Sequence, residues 1–155
     1  MLGAGGAGRT AALKIASESV QELFLVNRTE SKAEELAEEI RKNHMQVKVT
    51  IGYPKGEVDL LLNATSLGLK ANDSLPLDTK KFSLRDARAV YDMIYRPAET
   101  PLLRLAKEAG CRNSNGLSML LYQGAAALEI WTGQAAPLDV MRGALEKNVY
   151  DQDDV

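Results

Sequence analysis

The chain has 155 residues, with 19 lysines and arginines against 21 aspartates and glutamates, a formal charge of −2. A chain of that length suits one domain, residues 1–155, with a real core, since folded proteins of this size bury roughly 70% of their unfolded surface. Scattered basic residues exclude a nucleic-acid footprint, the apolar runs are too short to span a bilayer, and a single Cys111 and a single His44 exclude an internal disulfide and a Cys/His zinc site. No charged n-region with an apolar h-region opens the chain, so a cytoplasmic location is expected.

Gly3-Ala4-Gly5-Gly6-Ala7-Gly8 stands at the front. Its G-x-G-x-x-G spacing supplies a glycine for a tight strand-to-helix turn, one for backbone approach to a diphosphate and one for close helix packing. The diphosphate would rest on the free N–H groups of the following helix, built from residues 8 to 18. Only Met1 and Leu2 precede the first glycine, so the first strand reads as truncated.

Leu23-Phe24-Leu25-Val26 suits a buried parallel strand. Beyond it, Thr29 is an N-cap candidate for Lys32 to Asn43, where Ala33, Leu36, Ala37 and Ile40 recur at helical spacing. At the end of this second strand an NAD site places Asp or Glu against the ribose hydroxyls. Here Asn27 takes that place, Arg28 offers a bidentate fork and Lys32 a second cation, which together favour the 2′-phosphate of NADP.

Val47 to Ile51 and Val58 to Asn63 read as further strands, the latter apolar enough to predict burial on both faces. Asn63-Ala64-Thr65-Ser66-Leu67-Gly68 then falls at the carboxyl edge of the sheet, where open α/β sheets bind ligands, although a plain Asx turn looks the same. Residues 68 to 86 read as a loop with one short helix, and Arg88 to Met93 as a strand running into Tyr95-Arg96-Pro97. Thr100-Pro101 starts a helix that Gly110 stops, Cys111 to Asn115 is the last strand, and residues 117–132 and 138–149 are two helices parted by Gly133 and Pro137. Residues 151–154 are expected to fray. The alternation predicts a Rossmann-type, doubly wound parallel sheet in a three-layer α/β/α sandwich. On spacing alone, Met119 is a core residue and Tyr95 a half-buried packing residue.

Taken together, Gly3 to Ala7, Asn27-Arg28-Thr29, Asn63 to Gly68, Tyr91-Asp92 through Tyr95 and Pro97 to Leu103, Asn115-Gly116-Leu117 with Met119-Leu120 and Gln123-Gly124, and Trp131-Thr132-Gly133 resemble the cofactor-binding domain of the shikimate dehydrogenase family. The resemblance runs from Gly3 to about Leu145. It implies that Gly3, Ala4, Gly5, Gly6 and Ala7 hold the NADP diphosphate, while Asn27, Arg28, Thr29 and Lys32 surround the adenosine ribose phosphate. Thr65, Met93, Gly116 and Met119 would line the nicotinamide, and Tyr95 and Gln123 would reach shikimate or 3-dehydroshikimate.

Ser118 stands where the family commonly has a second glycine. The family's N-terminal substrate domain, with its Lys and Asp pair, has no counterpart in these residues, so no catalytic residue is assigned and the fragment is expected to bind cofactor without turnover. Two alternatives stay open: a quinate/shikimate dehydrogenase of relaxed cofactor choice, and an NADP-binding module without chemistry.

Overall fold

Short apolar runs alternating with amphipathic stretches give the chain five strands and five helices in a computed structural model that describes residues 1–18, 20–70 and 72–150. The helices are α1 (Gly6–Ser17), α2 (Glu30–Asn43), α3 (Pro101–Glu108), α4 (Leu117–Thr132) and α5 (Leu138–Tyr150). The strands are β1 (Glu22–Leu25), β2 (Lys48–Ile51), β3 (Val58–Asn63), β4 (Ala87–Asp92) and β5 (Arg112–Ser114), with a 3-10 turn at Leu84–Asp86 before β4. The expected elements are all present, shifted by a residue or two at their ends. The tail expected to fray lies outside the described residues.

β1 pairs with β2, and β3 with β4 and β4 with β5, every pair parallel. The stub Met1–Leu2 joins the two groups. Leu2 N–H donates to the Leu62 carbonyl and the Leu2 carbonyl accepts from Ala64 N–H, both at 2.8 Å, while Met1 and Gly3 bond Val26 on the other side. The resulting order is β2, β1, stub, β3, β4, β5, a doubly wound arrangement whose central strand is little more than one residue long.

Side chains of adjacent strand residues point to opposite faces. Leu23 and Leu25 of β1 accordingly pack with Ala12 and Ala16 of α1 and Ala33, Leu36, Ala37 and Ile40 of α2. Leu2 and Val26 join the other core, with Leu61, Val90 and Leu102, Leu103 and Ala106 of α3. Helices therefore cover both faces of the sheet.

The expectation that β3 is buried on both faces holds only for its second half. Leu61, Leu62 and Asn63 are buried, but Asp59 is exposed and Leu60 is 45% exposed. Between β1 and β3, below Leu2, lies a groove of about 610 Å³ lined by Phe24, Val58, Leu60 and Phe82 among others.

Candidate functional site

The glycine loop turns from the stub into α1. Gly3 has φ +96°, and a Cβ there would meet the Ala64 carbonyl oxygen at 2.9 Å. A Cβ on Gly8 would lie 2.3 Å from the Gly3 carbonyl oxygen, so these two glycines answer to packing within the protein. Gly5 and Gly6 differ. A Cβ on either would meet nothing within 4 Å, and α1 starts at Gly6 without a side-chain cap. Bare glycine backbone at an uncapped helix N-terminus leaves donors and space for an anion.

Asn27, at the carboxyl end of the neighbouring strand, splints this loop. Its Oδ1 accepts from Ala4 N–H at 3.0 Å and its Nδ2 donates to the Thr29 carbonyl at 2.7 Å. Thr29 precedes α2 as expected, but its side chain makes no capping bond; the Asn27 amide fixes the turn instead. Arg28, Thr29 and Lys32 are exposed around it.

A cleft of about 960 Å³ opens beside the loop, lined by Gly5, Gly6 and Ala7 on one side and by Thr65, Met93, Tyr95 and Met119 on the others. The structure thus brings together, at the carboxyl edge of the sheet, residues from four separate segments. Gly116 is buried behind this wall: its N–H donates to the Ile94 carbonyl at 3.0 Å, and a Cβ there would lie 2.1 Å from the Met93 carbonyl oxygen. Gln123 is exposed, one turn beyond Met119, and is not part of the cleft lining.

Asn148 and Val149 of α5 also line the cleft and carry no sequence signal, because only the fold-back of α5 brings them there. Asn115 anchors that fold-back, donating to the Tyr150 hydroxyl at 2.9 Å.

Beneath the cleft lie Asn63, Asp92 and Thr100, each with no exposed surface. Asn63 and Asp92 are register partners on β3 and β4. The Asn63 amide donates to Asp92 Oδ1 at 2.9 Å, Ile94 N–H donates to the same oxygen at 3.1 Å, and Thr100 Oγ1 donates to Oδ2 at 2.7 Å. Burial pushes the Asp92 carboxyl above the usual carboxylate range, and those three donors oppose the push.

Comparison with known proteins places this geometry in a family. A model of shikimate / quinate 5-dehydrogenase matches residues 1–67, and one of the shikimate 5′-dehydrogenase C-terminal domain matches residues 116–146. The shikimate dehydrogenase (NADP(+)) of Methanopyrus kandleri is 39% identical over 152 residues, which cover 94% of this chain and 52% of that protein. A crystal structure of a shikimate dehydrogenase in complex with NADP+ superimposes with a TM-score of 0.81 at 37% identity, over 95% of this chain and 53% of that one. The ligand-free 5-ketofructose reductase of a Gluconobacter strain follows at 0.78 and 33%, over 94% and 54%. The chain spans about half the length of the curated relatives it matches. With the two matched models spanning its glycine loop, β1 to β3 and α4, the chain belongs to the shikimate dehydrogenase family.

Proposed function

We propose that residues 1–155 are the NADP-binding domain of a shikimate dehydrogenase, an oxidoreductase that reversibly reduces 3-dehydroshikimate to shikimate with NADPH in chorismate biosynthesis. The observation that carries the reading is the Asn27 splint. An amide that holds the glycine loop through Ala4 N–H occupies the place where an acidic side chain would repel a 2′-phosphate, and it leaves Arg28 and Lys32 exposed beside it.

The residues fit the dinucleotide. Gly5 and Gly6 offer bare backbone to the diphosphate, Ala7 adds its N–H in the first turn of α1, and Gly3 and Ala4 shape the turn. Arg28, Thr29 and Lys32 take the ribose phosphate. Thr65, Met93 and Met119, backed by Gly116, shape a slot for the nicotinamide; Tyr95 on the cleft wall and the exposed Gln123, one turn beyond Met119 on α4, are the groups that meet the substrate. When bound, NADPH supplies the hydride. The chain's own part is to orient the ring and keep water from it, which lowers a barrier only when the ketone is held as well. No lysine and aspartate pair in these residues matches the family's proton-handling motif, so the 155 residues alone bind cofactor without turnover, and the ring is held by a substrate domain of the whole cytoplasmic enzyme.

A second reading keeps the cofactor and changes the ketone. The likeness to a 5-ketofructose reductase supports it, since one scaffold then serves different carbonyl substrates. Quinate is the nearer alternative within the family.

Calorimetry on the 155-residue chain tests the cofactor assignment. NADPH binds more tightly than NADH, and Arg28→Ala reduces that preference by about tenfold or more, the loss of one charge-assisted hydrogen bond worth roughly 1.5 to 3 kcal/mol. Equal affinity of the unmutated chain for the two cofactors overturns it.

A further inference from the structure

We propose that Asp92 is a positioning residue: a buried carboxylate that, through Asn63 and the Ile94 backbone, holds the two loops that form the nicotinamide slot. The inference rests on the NADP reading above and concerns a residue that does not line the cleft.

The chain of contacts is short. Asp92 Oδ1 takes the Asn63 amide, which turns Asn63 Oδ1 toward the following loop. That oxygen accepts both Thr65 N–H at 3.0 Å and Thr65 Oγ1 at 2.8 Å, and Thr65 Oγ1 in turn accepts from Leu67 N–H at 3.2 Å. The conformation of Thr65, on the cleft wall, is thereby set from below.

The same Oδ1 takes Ile94 N–H, and the Ile94 carbonyl receives Gly116 N–H, so the start of α4, with Met119, hangs on the Met93 to Tyr95 segment. Asp92 Oδ2 holds Thr100, whose Oγ1 also caps α3 through Leu103 N–H at 3.3 Å. A neutral side chain with one acceptor could serve Oδ1 alone. A carboxylate serves both branches and, being acceptor-only when ionised, leaves the orientation of the Asn63 amide no alternative.

Three ligand measurements on the 155-residue chain test the role. Adenosine 2′,5′-bisphosphate probes the glycine loop and Arg28 only, NADPH affinity probes the whole site, and the emission of bound NADPH reports the surroundings of its nicotinamide. Asp92→Leu, close in shape and without acceptors, is expected to weaken NADPH about tenfold, to leave the bisphosphate within about twofold, and to return the nicotinamide emission of bound NADPH to that of free NADPH. Asp92→Asn keeps an acceptor at Oδ1 and rescues most of the NADPH affinity and the emission. Should Asp92→Leu fail to fold, Thr100→Val, which removes one donor to Oδ2, replaces it and gives a smaller loss of the same pattern. Equal weakening of both ligands, or unchanged emission in a folded variant, overturns the positioning role. Failure of the unmutated chain to bind either ligand overturns the cofactor reading, and this inference with it.

Discussion

The two ends of the same sheet are built in opposite ways. At the carboxyl end, three fully buried polar side chains satisfy one another and the loops above them, and among the described residues no buried side-chain nitrogen or oxygen lacks a partner. At the amino end, β1 and β3 face a groove, and Leu60 shows almost half its surface. The difference teaches where stability and function reside. Polar order is concentrated at the carboxyl edge beside the cleft, whereas the apolar core lies along the strands on the amino side of Leu2, with Leu61, Val90 and Ala87 in one cluster and Leu23, Val47 and Val49 in the other.

The largest effect expected from this comparison separates two adjacent leucines. Leu61 is 5% exposed within the core that includes Leu2, Val90 and Leu102, so Leu61→Ala leaves a cavity and costs about 2 to 5 kcal/mol. Leu60→Ala removes a side chain that already borders the open groove and costs less than about 1 kcal/mol. Urea denaturation of the two variants gives the comparison directly. Similar losses would mean that the groove is closed in solution.

How much of this was legible in the sequence depends on the distance over which each signal acts. Local signals read correctly: the glycine turn, Thr100 capping α3 ahead of Pro101, and Gly133 ending α4 with φ +67° are each decided within a few residues. The exposure of Leu60 was not legible, because an apolar run reports what a strand can bury, and its neighbour across the groove decides what it does bury. Asn63 and Asp92 each stood out as polar strand ends, yet their bond spans 29 residues and follows only from the β3 to β4 register. Gln123, one turn beyond Met119 on α4, is exposed outside the cleft lining, so its proposed part in the substrate site rests on the family resemblance rather than on the cleft.

The smallest expected effect on stability divides the glycine loop itself. Gly8→Ala places a methyl group against the Gly3 carbonyl oxygen, a backbone atom that the Leu2 and Gly3 hydrogen bonds hold in place. Overpacking of that kind costs about 1 to 3 kcal/mol, more than the gain of up to about 1 kcal/mol from alanine's better helix propensity. Gly5→Ala meets nothing within 4 Å, and Gly5 has φ −77°, open to any residue, so stability should move by less than about 0.5 kcal/mol. The methyl group nevertheless stands where a diphosphate must approach the backbone, and NADPH affinity should fall by about tenfold or more. Melting curves and NADPH titrations on both variants then give opposite orders: Gly8→Ala is the worse for stability, and Gly5→Ala loses affinity while its fold is intact. If Gly5→Ala binds NADPH as the unmutated chain does, the diphosphate does not lie over Gly5, and the glycine loop serves only the packing of α1 against the sheet.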